Sequence, residues 1–358
     1  MSASSVKYVQ LGRSGLKISV PIVGAMSYGN PKWGATDEST QWVLGEEDAL
    51  PILKAAWDRG INTIDTSNSY SNGDSERIVA KFIEKANRSS QYQIPREEII
   101  IATKCWGVVG KGTERDLLTS AHFSAFDQRR EYVNQSGLSR AAIFNAVEGS
   151  LARLNTSYID LYQIHRYDFT TPPEETMKAL HDLVESGKVR YVGASSMRAW
   201  QFALLNEVAE KHGWTKFVSM QDEYSLLYRE EEREMLAYCK YNGIGVIPWS
   251  PLAGGRLARP PAAEETPRAK AFASRGRGIP NEVDSEIIKR VEEIAKKRGW
   301  TMAQVSLAWT QRNVSSPIVG FNSLKRVDQN LLPDGELTDE EAKYLEEPYQ
   351  PRPVRGHQ

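Results

Sequence analysis

The stretch YIDLYQIHRYDFTTPPEETMKALHDLVESGKVRYVGASS, residues 158–196, contains one full repeat of the architecture. Ile159 to His165 is an apolar, strand-like run that ends on a titratable residue. Pro173 opens a helix that runs to Ser186, Gly187 closes it, and the next run, VRYVGASS, follows at once. Strands that are apolar rather than alternating belong to parallel sheets with both faces covered. Outward from this unit the rhythm repeats. Toward the N-terminus, strands at PIVG, at the run ending in Asp65 and at Ile99–Lys104 alternate with helices near Glu46–Arg59, Ser75–Ala86 and Ala141–Leu154. Toward the C-terminus, strands at FVSMQ, GVIPWS and PIVG alternate with helices near Trp200–Lys211, Glu230–Tyr241, Ser285–Lys297 and Met302–Arg312, with a last helix from Leu324. Lys7–Leu11 and Leu16–Val20, joined through Gly12-Arg13-Ser14-Gly15, read as an N-terminal β-hairpin. Eight strand–helix repeats predict an α/β fold, a (β/α)8 TIM barrel carrying that hairpin. The rival is a doubly wound sheet, which would place a glycine-rich phosphate turn after its first strand. VGAMSYGNPKWG fits such a turn poorly.

The chain of 358 residues suits one large barrel domain, 1–358, with insertions about 107–137 and 252–281. Both insertions interrupt the rhythm after a strand, on the face where barrel active sites are built. They are expected to be lids or substrate walls, or else solvated surface. The formal net charge of -1 gives no electrostatic footprint for nucleic acid. Two cysteines, Cys105 and Cys239, provide neither a disulfide framework nor a metal cluster, and none of the five histidines lies in an HExxH pattern. No metal is expected. The N-terminal MSASSVKYVQLG has no apolar signal region, and no run is long enough to span a bilayer, so no membrane partner and a cytoplasmic location are expected.

Four polar residues, Asp65, Tyr70, Lys104 and His165, stand where predicted strands run out into loops. A titratable group at the exit of a buried strand is expensive to keep as structure alone, and in a barrel that position gathers catalytic groups. Each also has a plainer reading. Asp65 and Lys104 could be an interior ion pair, Tyr70 a half-buried loop residue, and His165 a hydrogen-bonded core histidine.

The motifs GINTIDTSNSY, ATKCWG, SLARLNTSYIDLYQIHRYD, GKVRYVGASS, MQDEYSLL and IPWSPLAGGRL, in this order, resemble the aldo-keto reductases, in particular fungal aryl-alcohol-dehydrogenase-like members. The resemblance runs from YVQLGRSGLKIS to RVDQNLL. It implies a barrel that binds a nicotinamide cofactor without a Rossmann fold and interconverts carbonyl and alcohol. Carbonyl reduction needs a hydride at carbon and a proton at oxygen. Tyr70 supplies the proton, but a free phenol ionises only near pH 10 and needs a neighbouring cation. Lys104 is that cation, Asp65 keeps it charged, and His165 donates a hydrogen bond that orients the carbonyl.

The resemblance also places the cofactor. Ser195, Ser196 and Gln221 match positions for the nicotinamide carboxamide, with Ser196 where the family often has asparagine. Trp249 matches the residue that stacks on the nicotinamide. Ser250, Leu252, Gly254 and Arg256 belong to a loop over the pyrophosphate. Gly320, Asn322, Ser323, Arg326, Gln329 and Asn330 match the adenosine end, although many relatives carry lysine at or near Gly320. A guanidinium at Arg326 suits a 2′-phosphate, so NADPH/NADP+ is expected, with NADH weaker. Tyr28, Trp33 and Trp106 are candidates for an aromatic substrate wall, or for packing under a loop. The expected partner is a small carbonyl or alcohol substrate. A rival function also comes from the resemblance: a cofactor-binding sensor, or a channel-type regulatory subunit, with little turnover.

Overall fold

Two short strands, β1 (Lys7–Gln10) and β2 (Lys17–Val20), pair antiparallel with Lys7 opposite Val20. The computed structural model describes residues 6–35, 37–38, 41–83, 94–119, 125–126, 128–274 and 281–357. After the hairpin, eight parallel strands follow in chain order: β3 (Ile22–Gly24), β4 (Thr63–Asp65), β5 (Ile100–Cys105), β6 (Ile159–Ile164), β7 (Val189–Ser195), β8 (Ser219–Gln221), β9 (Gly245–Val246) and β10 (Ile318–Val319). From β3 to β9 each strand pairs with the next, and β10 pairs with β3. At the remaining seam the Ile318 N–H donates to Pro248 O at 2.9 Å and the Ser315 N–H to Val246 O at 2.9 Å. The sheet therefore closes, and the doubly wound alternative is excluded.

Period-two geometry sorts the strand residues into two environments. Ile64, Ile101, Cys105, Ile164, Val192, Ala194, Met220, Val246 and Val319 belong to the large core between sheet and helices. Ile22, Ala102, Leu161, Ile247 and Ile318 have the opposite parity and fill the barrel, plugged from below by Leu11, Leu16 and Ile18 of the hairpin. Gly12 is required where the hairpin seats. Its φ is +60°, and a Cβ there would stand 2.4 Å from Gly243 O. The parity that fills the lower barrel with aliphatic side chains sends Asp65, Lys104, Gln163, Ser195 and Gln221 to the interior at its upper end.

The helices form where their caps allow. α1 (Glu46–Asp58), α2 (Asp74–Ile83), α3 (Arg140–Leu154), α4 (Pro173–Glu185) and α5 (Ala199–His212) follow the expected positions. The Ser139 hydroxyl accepts the Ala142 N–H at the start of α3, and α4 starts on Pro173, as a proline at the first helical position favours. α6 (Met235–Asn242) is shorter than expected, because Glu230–Glu232 form a separate 3-10 turn. α8 (Glu282–Arg298), α9 (Met302–Gln311) and α10 (Leu324–Gln329) complete the repeats, with a Thr301–Gln304 capping box on α9. Among the described residues two further helices lie outside the repeat pattern: α7 (Pro267–Ala273) within the second insertion, and α11 (Asp339–Glu346) near the C-terminus. The expected extension of α2 to Ala86 and the RGRGIP run at 275–280 lie outside the described residues, as do 120–124 and 127 of the first insertion. Among the described residues no helix is long and apolar enough to cross a membrane.

Candidate active site

Asp65 ends β4, and the chain then turns through Thr66–Ser69 into the 3-10 turn Tyr70–Gly73. Ser71 and Asn72 hold left-handed backbone, φ +47° and +50°, a conformation that non-glycine residues adopt at a cost. Asn72 is buried and hydrogen-bonded. Its amide donates to Arg115 O at 2.8 Å and Leu117 O at 3.0 Å, and its carbonyl accepts the Gly110 N–H at 2.8 Å. These bonds fasten the turn that carries Tyr70 to the first insertion, whose described part packs around Val108, Phe126 and Tyr132.

Lys104 leaves β5 on the inward parity and is fully buried. Its ammonium bonds Asp65 Oδ1 at 2.5 Å, Thr66 O at 2.9 Å and Tyr70 Oη at 3.3 Å. Burial works against that charge, but the Asp65 carboxylate and the Tyr70 oxygen outweigh it, so the Lys104 pKa lies above the ordinary lysine value. The ammonium is also 5.0 Å from the centroid of the Tyr70 ring. His165, just past β6, meets the Tyr70 ring edge-on at 5.8 Å, and its Nδ1 is 3.3 Å from Ser67 Oγ. Burial, then the charges of Arg166 and Lys104, push its pKa well below that of a free imidazole. His165 is therefore neutral, with one ring nitrogen a donor and the other an acceptor. Asp65, Tyr70, Lys104 and His165 thus meet at the upper end of the barrel, from three strands and a turn.

Gln163, which sequence reasoning passed over, joins this group. Its amide donates to Asp65 Oδ2 at 3.0 Å; Gln221 donates to the same oxygen at 2.9 Å and to Gln163 Oε1 at 3.0 Å. A signal for it was present, since Gln163 stands two residues before His165 and so shares its parity.

The other expected positions divide. Ser195 Oγ donates to Gln221 O at 2.7 Å, which ties β7 to β8. Ser196, with φ +40°, accepts the Trp249 indole N–H at 3.1 Å, and its hydroxyl stands 3.4 Å from Ser195 Oγ. Ser250 has φ +59° and Gly254 φ +69°, in a chain that doubles back under Leu252. Arg256 is ion-paired to the buried Asp284 at 2.7 Å, so its guanidinium already has an anion. Ser323 caps α10 by accepting the Arg326 N–H at 3.4 Å, and Gln329 O accepts the Thr301 hydroxyl at 2.9 Å. Asn322 is exposed just before that cap. Asn330 is buried, and its Oδ1 has no hydrogen-bond partner among the described residues. Such an atom is costly unless a ligand satisfies it.

Two arginines of the second insertion were missed. Arg268, on α7, lies 5.3 Å from the Trp42 ring, and a Cβ on Gly320 would stand 3.6 Å from its Nη1. Burial lowers its pKa, with the Tyr70 oxygen acting the other way. Arg259 has its pKa lowered by burial and then by the nearby charge of Arg326. Two guanidiniums brought together favour an anion between them. Neither arginine carries a sequence signal, because both lie in a segment without periodicity.

Of the expected aromatic wall, Tyr28 is wholly enclosed in the core and donates to Phe321 O at 2.9 Å, so in this structure it is packing and not pocket wall. Trp33 is buried against Trp42, with ring centroids 6.0 Å apart. Trp106 is half-buried directly after β5 and holds φ +118°, a strained value for a bulky residue, with its carbonyl accepting the Gly137 N–H at 2.9 Å. Among the described residues no group of histidine, cysteine and carboxylate side chains could hold a metal ion.

Comparison with known proteins gives the same direction. The profile described as "Aldo/keto reductase family" matches residues 22–350. An aldo-keto reductase of Fusarium vanettenii is 52% identical over 100% of this chain and 95% of its own length. The versiconal hemiacetal acetate reductase of Aspergillus parasiticus is 47% identical over 98% of both chains. A putative aryl-alcohol dehydrogenase of Schizosaccharomyces pombe is 48% identical over 99% of both. The chain belongs to the aldo-keto reductase family, and it is an NAD(P)H-dependent oxidoreductase of carbonyl and alcohol groups.

Proposed function

We propose that this enzyme reduces an aldehyde or ketone to the alcohol with NADPH, reversibly, with Tyr70 as the proton donor. The observation that carries the reading is the Lys104 ammonium, fully buried, shared between Asp65 and the Tyr70 oxygen. A cation held there favours the phenolate that remains once the proton has left, and in the reverse direction it makes the same oxygen a base. The nicotinamide, when bound, supplies the hydride. Neutral His165 donates its ring N–H to the substrate oxygen and directs it toward Tyr70, a hydrogen bond that strengthens as negative charge develops.

The residues present fit the cofactor. The Ser196 hydroxyl and the Gln221 carbonyl oxygen complement a carboxamide, which both accepts and donates. Trp249, fixed by its bond to Ser196, offers an indole face for stacking. Ser250, Ala253 and Gly254, each with left-handed backbone, suit the pyrophosphate, with Arg268 as its cation. The unpartnered Asn330 Oδ1 suits the adenine amine. Arg326 with Arg259 suits a 2′-phosphate, which carries close to two negative charges at neutral pH. Trp106, at the exit of the lysine's strand, favours a carbonyl compound with an aromatic or otherwise apolar body.

The test is a panel of aldehydes and ketones with NADPH and NADH, following loss of reduced-cofactor absorbance for wild type and Tyr70→Phe. Turnover by wild type, and near abolition in Tyr70→Phe with cofactor binding intact, is the expected result. Tight cofactor binding with no turnover would replace the enzyme reading by a sensor. A Tyr70→Phe variant that keeps most of its chemical rate would remove the acid assignment.

A further inference from the structure

We propose that Gln163 is a positioning residue for the acid–base pair: it holds the Asp65 carboxylate so that Lys104 binds a single carboxylate oxygen and keeps a proton for Tyr70. The inference rests on the reading of Tyr70 as proton donor.

Counting donors leads to it. An ammonium has three protons, and those of Lys104 go to Asp65 Oδ1, to Thr66 O at 2.9 Å and to Tyr70 Oη at 3.3 Å. The bond to Tyr70 is the longest of the three and the first to be lost if the ammonium moves. What would move it is the other carboxylate oxygen. Oδ2 is a buried, charged acceptor close by, and an ammonium gains by bridging both oxygens. In this barrel Oδ2 is already occupied, by Gln163 Nε2 at 3.0 Å and Gln221 Nε2 at 2.9 Å. The Gln221 amide also donates to Gln163 Oε1 at 3.0 Å, so the three side chains close a ring that fixes which end of each amide faces the carboxylate.

The barrel is shaped to admit this amide. Gln163 is fully buried, and an unbonded amide there would be costly. On the neighbouring strand β7, a Cβ at Gly193 would stand 3.2 Å from Gln163 Cγ and 2.3 Å from Ser219 Oγ. The glycine leaves the space through which the glutamine side chain passes. Lys104 and Gln163 are register partners on β5 and β6, so one pair of strands delivers both the cation and the amide that limits where it binds.

Two variants of nearly unchanged shape test the proposal. Gln163→Met removes the donor, and Gln163→Glu restores one only when its carboxyl is protonated. The readouts are kcat, KM and the pH profile of carbonyl reduction, cofactor binding by fluorescence quenching, and the tyrosinate absorbance that disappears when Tyr70→Phe is added. Gln163→Met is expected to lower kcat by roughly tenfold or more, the scale of one lost hydrogen bond to a charged group. KM and cofactor binding are expected to change little, while the alkaline limb and the Tyr70 absorbance both move to higher pH. Gln163→Glu is expected to regain rate as pH falls through the protonation of its carboxyl. Folded Gln163→Met with the wild-type kcat and an unmoved Tyr70 signal overturns the proposal. Should Gln163→Met fail to fold, Gln163→Glu decides alone, and a pH profile with no acid-side recovery overturns it. If wild type reduced no carbonyl, the proposed function would fall, and the Tyr70 absorbance comparison would still decide the role of Gln163.

Discussion

Replacing Asp65 with asparagine removes the carboxylate that keeps Lys104 charged, and the structure gives both the size and the sign of the result. The lysine side chain is fully buried and that of Asp65 is 4% exposed, so solvent screens the pair very little. Asparagine brings no charge, and its amide cannot satisfy Lys104, Gln163 and Gln221 together, since all three are donors toward this position. Breaking a buried pair by removing one partner costs about 3–5 kcal/mol. The pH dependence is the sharper test. In the wild type the folded pKa of Lys104 lies above its unfolded value. The pair's contribution is therefore complete below the unfolded pKa, about 10.4 for lysine, and is lost only as pH rises through the folded value. In Asp65→Asn the carboxylate's support is gone and only the Tyr70 oxygen still opposes burial, so the folded Lys104 pKa falls below the ordinary lysine value. Between the depressed folded pKa and the unfolded one, the unfolded chain then carries a proton that the folded chain lacks. Stability of the variant should rise with pH in that window by about 1.4 kcal/mol per pH unit. Urea unfolding of both proteins from about pH 7 to about pH 9 measures this as a deficit that narrows toward alkali. A deficit under about 1 kcal/mol, or one constant across the range, would mean that Lys104 is not a charge held in a dry site by Asp65.

Arg326→Ala should weaken NADPH binding by on the order of tenfold or more, as expected for loss of a hydrogen-bonded charge pair, with little change for NADH; equal losses for the two would abandon the 2′-phosphate assignment. Because His165 stays neutral until well below the free imidazole range, the reduction rate should show no inflection near pH 6.5 from this residue. An inflection there that vanishes in His165→Gln would show that His165 titrates in the ordinary range.

Most of the fold was legible because its signals are local. Pro173 and Gly187 bracket α4, Ser139 and Thr301 open their helices, and the apolar runs mark the barrel strands. The elements not foreseen, α7 and α11, belong to no strand–helix repeat, so no periodicity announced them. Glu230–Tyr241 splits into a 3-10 turn and a short helix, and Glu230 is held both by Arg233 of its own segment at 2.7 Å and by the distant Tyr349 hydroxyl at 2.7 Å and Arg352 N–H at 2.8 Å.

In the site, the chain alone determined which residues leave buried strands with titratable side chains: Asp65, Lys104 and His165, with Tyr70 in the adjoining turn. Strand parity is a local property, and it sends those groups to one end of a barrel whichever partners they later find. The partners were decided by tertiary structure. Gln221 turns its amide to Asp65, Arg256 is taken by Asp284, and Tyr28 is closed into the core, while Arg259 is brought beside Arg326 and Arg268 into the neighbourhood of Tyr70. A hydrogen bond or ion pair depends on distances of a few tenths of an ångström between segments far apart in the chain. No pattern of residue types in one segment contains that distance; the closed barrel, and the insertions packed above it, establish it.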